Sequence, residues 1–149
     1  MRARFSTLEE LAAAGGRCFP GLIGLDVVEV TDGEAVARLE IRPEHLAPNG
    51  FLHAGAVAAL ADTTCGYGCM LSLPDESTGF TTMELKVNFL GTSREGAITC
   101  RARRVHGGRT TQVWDATVSD ASEAVLALFR CTQLVLSAWA APAESDAEP

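Results

Sequence analysis

Three observations on the 149-residue chain predict an α+β fold in which an antiparallel sheet curves around one long helix. The stretch from Ala54 to Leu73 is apolar on nearly every side and carries a single charge, Asp62. On either side of it lie short alternating or β-branched segments, joined by Gly, Pro and Asp turn signals. The length suits one domain. A helix with no wet face needs cover over most of its surface, and a strongly curved sheet supplies it.

The elements follow in order. Phe5, Leu8 and Leu11–Ala12 space out one face of a short amphipathic helix, with Ser6 or Thr7 as its cap. Gly15–Gly16 break it, Pro20–Gly21 turn the chain, and residues 1–21 form a lead-in. Leu22 to Val30 is β-branched and reads as a strand. Asp32–Gly33 signals a type I′ hairpin. The return strand, Glu34 to Arg42, puts Ala35, Ala37, Leu39 and Ile41 on one face. Pro43 to Gly50 is a loop, and Pro74–Asp75 end the long helix. In Thr81 to Leu90, strict alternation puts Met83, Leu85, Val87 and Phe89 on one face and Thr82, Glu84, Lys86 and Asn88 on the other. Gly96–Val105, Arg109–Val118 and Ala124–Ser137 complete the strands of a domain over 22–137. Residues 138–149, rich in Ala, Pro and acid, read as a flexible tail.

Composition excludes several function classes. Twelve basic against nineteen acidic residues give a net charge of −7, which disfavours nucleic acid as a partner. Apolar content of 47% excludes a disordered chain. The five cysteines are odd in number and scattered, with no CxxC pair, which points to the reducing cytoplasm and away from a disulfide framework. No His/Cys/carboxylate cluster has metal-ligand spacing, so no metal is expected. The apolar helix is long enough to span a bilayer, but Asp62 at its centre, the dominance of Ala, Gly and Thr, and the missing basic flank argue against a membrane role.

The chemistry gathers on the long helix. His53 stands at its N-terminus, where the backbone N–H groups of Ala54, Gly55 and Ala56 point outward with the positive end of the helix dipole. Such an end accepts a carboxylate, a phosphate or a developing oxyanion, and Gly55 lets a ligand approach closely. A carboxylate amid apolar residues, as Asp62 is, has a raised pKa or a partner. It is then either a base or nucleophile, or a structural group bonded to a Thr at a subunit contact. His53 and Asp62 are nine residues apart. At 100° per residue that is about half a turn out of phase and about 13.5 Å along the axis. If both serve one site, a second subunit must supply one of them.

The segment NGFLHAGAVAALADTTCGYG resembles the helix motif of PaaI-like hot-dog-fold thioesterases, which have a His-Gly-Gly start and a Leu-Ala-Asp-Thr centre. TTMELKVNFLGTSREG and HGGRTTQVWDATVSD are similar to the strands that follow in that family, and the likeness runs from Leu22 to Leu136. The resemblance implies a hot-dog fold and hydrolysis of acyl-CoA thioesters. It implies no cofactor, coenzyme A being part of the substrate. It also implies a homodimer or homotetramer with sites at the subunit interface. By the same likeness Asp62 matches the catalytic carboxylate, His53 the motif His that positions the thioester end, and Thr82 a hydroxyl that orients water. Ala54 replaces the first Gly of the motif but keeps the N–H that polarises the thioester oxygen. Many relatives have Asn six residues before the His; that position is Ala47 here, and Asn49, four before, is the candidate to take over. Two other readings fit the same fold, an enoyl-thioester hydratase and a non-catalytic acyl-CoA-binding or regulatory module.

The remaining features have plainer expectations. His45 and His106 fall in loops or strand ends and read as solvated. Cys65 and Cys69, one helical turn apart, read as small packing residues. Arg94, Arg101, Arg103, Arg104 and Arg109 form a local basic stretch, in which Arg109, after two glycines, is the first candidate for the phosphates of coenzyme A.

Overall fold

Every strand pairing among the described residues is antiparallel. The strands are β1 (Leu25–Thr31), β2 (Glu34–Glu40), β3 (Ser77–Phe89), β4 (Ala97–Gly107), β5 (Thr111–Ser119) and β6 (Val125–Ser137). They form one six-stranded sheet in the order β1-β2-β4-β5-β6-β3. The computed structural model describes residues 5 and 7–137. Ser6 and the tail 138–149 therefore lie outside the described residues.

Among the described residues there are three α-helices, α1 (Leu8–Gly15), α2 (Phe19–Leu22) and α3 (Ala54–Leu71). Six strands span about 24 Å, whereas a helix with its side chains is about 10 Å across. Yet α3 touches every strand. The sheet must therefore curve around it, as the composition of the segment predicts. Val57, Leu60, Ala61, Cys65 and Cys69 are buried beneath the helix, while Ala58, Ala59, Asp62 and Thr63 stay partly exposed. Gly68 permits the closest approach, since a Cβ there would come within 2.5 Å of the buried Trp114 ring. Trp114 Nε1 donates to Gln112 Oε1 at 2.9 Å, and Gln112 Nε2 donates to the Ser72 carbonyl at 3.0 Å. A buried side chain thus satisfies one of the carbonyls that a helix end leaves open.

The alternation in β2 is as expected, with Ala35, Ala37 and Leu39 all buried. Thr7 is the α1 cap, its Oγ1 accepting from Glu10 N at 3.2 Å. Four expectations change. Pro20 and Gly21 lie inside the one-turn helix α2, so β1 starts at Leu25 and not at Leu22. The β1–β2 turn is not type I′, because only Gly33 has positive φ (+96°). His45 is buried at 5% exposure in a 3₁₀ turn over Pro43–His45, and its Nδ1 accepts from Arg42 N at 3.1 Å.

The fourth change bears on the site. The β3–β6 register shifts between Thr82 and Glu84, so Met83 is an extra residue in the strand. Thr82 lies opposite Gln133, and Leu85 lies opposite Cys131; both partners are fully buried. Thr82 therefore shares the helix-facing side with Leu85 and Val87, where strict alternation had put it on the other.

Candidate active site

Asp62 projects from the middle of α3 towards that bulged strand. Thr82 Oγ1 lies 3.3 Å from Asp62 Oδ1 and 2.9 Å from Gln133 Oε1. Burial pushes the Asp62 pKa above the usual carboxylate value, and the Thr82 hydroxyl partly offsets the rise. Asp62 and Thr82 border a cavity of about 340 Å³. Leu11, Pro20, Met70 and Phe80 are among its apolar walls, so the lead-in segment contributes directly to it.

His53 is the N-cap of α3, and its Nδ1 accepts from Gly55 N at 2.8 Å. That bond leaves the imidazole proton on Nε2 when the ring is neutral. A Cβ on Gly55 would sit 2.9 Å from this Nδ1, so glycine makes room for the cap. The helix end offers fewer donors than the sequence suggests. Gly55 N bonds the His53 ring and Ala56 N donates to the His53 carbonyl at 2.9 Å. Ala54 N–H has no partner among the described residues and remains available for an oxyanion. Asn49 Oδ1 accepts from Phe51 N at 3.2 Å, which orders the approach to the helix.

The structure thus brings Asp62 and Thr82 together, and separately His53, Ala54, Gly55 and Asn49. Among the described residues no bond joins the two groups, in line with the half-turn offset between His53 and Asp62. The arginines divide likewise. Arg101 and Arg103 alternate with buried Cys100 and Ala102, on the sheet face away from α3. Arg104 pairs with Asp32 at 2.9 Å. Arg109 stands exposed in the β4–β5 turn, near the C-terminal end of α3, where Gln112 holds Ser72. Arg94 stacks over the Phe51 ring at 4.1 Å, and the neighbouring Ser93 carbonyl accepts from Leu52 N at 2.9 Å. Arg94 is therefore a basic side chain beside the His53 end.

Sequence reasoning missed Gln133, Tyr67 and the lead-in wall. Gln133 in an apolar strand was a visible signal, since a buried amide needs a partner. The cysteines behave as packing residues: Cys65, Cys69, Cys100 and Cys131 are free and buried. Burial raises the Cys69 and Cys100 thiols to about 12, which removes them as nucleophiles. His106 is exposed, as expected.

A family model described as Thioesterase superfamily matches residues 49–127, more than half of the chain. A 1,4-dihydroxy-2-naphthoyl-CoA hydrolase of Listeria monocytogenes is 34% identical over 110 residues, covering 74% of this chain and 89% of that relative. The acyl-coenzyme A thioesterase PaaI of Escherichia coli is 28% identical, covering 72% of this chain and 75% of its own. A variant of thioesterase PA1618 from Pseudomonas aeruginosa superposes with a TM-score of 0.83 at 29% identity, over 88% of this chain and 94% of the other. By helix motif, wrapped sheet and family match together, the chain belongs to the thioesterase superfamily and is a thioester hydrolase of the PaaI-like hot-dog type.

Proposed function

We propose that the chain hydrolyses an acyl-CoA thioester to the free acid and coenzyme A, in the cytoplasm, as a homodimer or homotetramer whose sites each combine Asp62 of one copy with His53 and Ala54 of another. Asp62 acts as general base or nucleophile. In the base route Asp62 takes a proton from water as the oxygen attacks the thioester carbon. The carbonyl becomes an oxyanion that accepts from Ala54 N–H and His53 Nε2–H. Its collapse breaks the carbon–sulfur bond, and the proton held on Asp62 passes to the leaving thiolate. Thr82 holds the carboxylate in place, and Asn49 orders the loop ahead of the helix. The phosphates of coenzyme A are met by an arginine, Arg94 or Arg109. No metal or cofactor takes part in the proposed steps.

The observation that carries this reading is the partly buried carboxylate of Asp62, set at the rim of an apolar cavity with its pKa raised by burial. A carboxylate so placed is a better base than one in water. The test is a panel of acyl-CoA esters with detection of the released thiol, before and after extended chelation. Turnover that survives chelation and is lost in Asp62→Asn supports the reading. Esters bound but not cleaved would favour the non-catalytic module instead.

A further inference from the structure

The loop ahead of α3 carries a buried histidine that the proposed mechanism leaves unused. His45 is only 5% exposed, although Pro43 and Glu44 just before it are exposed. Its ring and its carbonyl are engaged in opposite directions. Backwards, Nδ1 accepts from Arg42 N at 3.1 Å and clasps the 3₁₀ turn over Pro43–His45. Forwards, the His45 carbonyl accepts from His53 N at 2.9 Å. Between the two histidines the chain makes a small hairpin, in which Leu46 bridges Leu52 and Ala47 N donates to the Phe51 carbonyl at 2.8 Å. His45 is at the foot of one arm and His53 at the foot of the other. The turn is itself moored, since Arg42 Nη2 donates to the Leu22 carbonyl at 3.0 Å. With Nδ1 accepting, the proton of the neutral ring lies on Nε2. Arg42 Nη2, 3.4 Å from Nε2, is a donor too, so the bond at Nδ1 is the one that fixes the ring. Asn49 is exposed at the tip of the hairpin and Ala47 has no polar side chain, which leaves His45 as the buried side chain holding the hairpin in place.

We propose that His45 is a positioning residue for the oxyanion donors: by clasping the turn it sets the carbonyl that holds His53 N–H, and so fixes where Ala54 N–H and His53 Nε2–H meet the thioester oxygen. The inference rests on the proposed hydrolysis and adds to it the group that keeps the donor end of α3 in place. A misplacement of about 1 Å at reacting groups costs about a hundredfold in rate, so one hydrogen bond outside the site is enough to matter.

The test compares His45→Asn, His45→Gln and His45→Leu with the parent on acyl-CoA esters that the parent cleaves. Asn carries an oxygen on Cγ, where the ring carries Nδ1, and can accept from Arg42 N. Gln puts its polar atoms one bond further out, and Leu has none. His45→Gln and His45→Leu should lower kcat by about tenfold or more, because oxyanion donors act in the transition state. KM should change by less than about threefold, and His45→Asn should keep kcat within about threefold of the parent. A histidine that only supports the fold predicts otherwise: all three variants melt lower, and kcat per folded molecule stays at the parent value. Equal kcat in His45→Asn and His45→Gln, or a loss confined to KM, overturns the proposal. If His45→Leu does not fold, the Asn and Gln pair decides. If the parent cleaves no ester, the hydrolysis reading fails by itself, and amide hydrogen exchange at His53 then decides this proposal alone. Protection in the parent and His45→Asn that is lost in His45→Gln supports it, and equal protection in all three overturns it.

Discussion

Thr82 and Gln133 face each other across the β3–β6 ladder with their side chains 2.9 Å apart, and Thr82 has only one proton to share between Gln133 and Asp62. If Asp62 is protonated, it donates to Thr82, which donates to Gln133 Oε1, and every group is satisfied. If Asp62 is ionised, the Thr82 proton must turn to the carboxylate, and the Gln133 oxygen loses its donor. Burial favours the neutral acid, the Thr82 hydroxyl partly offsets it in favour of the anion, and the reaction needs the anion.

The first prediction concerns the pH profile. The Thr82 hydroxyl lowers the Asp62 pKa against the larger effect of burial. Thr82→Val removes the hydroxyl at nearly constant volume, so the pKa should rise further. The acid limb of kcat/KM should then move to higher pH, because a larger share of Asp62 is protonated at any given pH. A profile that stays in place, or moves to lower pH, would detach Thr82 from the base.

That relationship also marks where the sequence stopped being readable. The wrapped sheet, the long helix and the place of His53 at its N-terminus were legible, because hydrophobic period and helix-end chemistry are local; that the His53 ring itself caps Gly55 N–H was not. The face of Thr82 was not. One extra residue at Met83 reverses the phase of the strand, and alternation carries no sign of it. Asp62 stood out as a charge among apolar residues, but its link to Gln133 spans 71 positions and depends on sheet order. The lead-in segment looked separate from the domain, yet Leu11 is only 2% exposed and forms part of the cavity wall. Arg109 drew notice through its glycines, whereas Arg94 reaches the His53 end through a loop pairing that has no periodic signature.

A second prediction tests the packing. Gly68→Ala would force a methyl to within 2.5 Å of the Trp114 ring, which is rigid and fully buried. The helix must back away from the sheet, at a cost of about 1–3 kcal/mol, typical of overpacking. Denaturant unfolding should show a lower midpoint. An unchanged or raised midpoint would mean that α3 sits less tightly on β5 than described.

A third prediction tests the composite site. β3 is a sheet edge, and Met83, Leu85, Phe89 and Leu90 along it are 61%, 46%, 48% and 62% exposed. An exposed apolar edge of this kind invites a second copy. Mixed His53→Ala and Asp62→Ala subunits should regain activity, provided they exchange. Random pairing makes half the dimers mixed, each with one intact site of two, so about a quarter of the parent activity should return. Exchange without recovery would mean that both residues act within one chain, or that one of them does not act.

The fourth prediction separates the arginines. Arg94→Ala should raise KM for CoA esters with little effect on kcat, the pattern of lost ground-state binding, and the effect should weaken at high salt. Arg109→Ala tests the β4–β5 turn in the same way. If Arg109 alone raises KM, the phosphates pass the C-terminal end of α3 and not its His53 end.

Asp62→Asn is the fifth and sharpest test, because activity and stability should part company. Asn keeps the shape of the side chain and removes the charge. Activity should fall by about two or more orders of magnitude, the scale of lost general-base catalysis, while ester binding survives. For stability the sign follows from linkage. Burial makes the folded pKa of Asp62 higher than the unfolded one, so the native state binds the proton more tightly. Stability therefore falls as pH rises from the unfolded pKa through the folded one, and the ionised carboxylate is a burden at neutral pH. Removing the charge should hold or raise the melting temperature at pH 7. That gain should shrink in acid, where the parent Asp62 is already neutral. A variant that melts lower at pH 7 but still turns over esters at the parent rate would make Asp62 a structural hydrogen-bond partner of Thr82 and take it out of the chemistry.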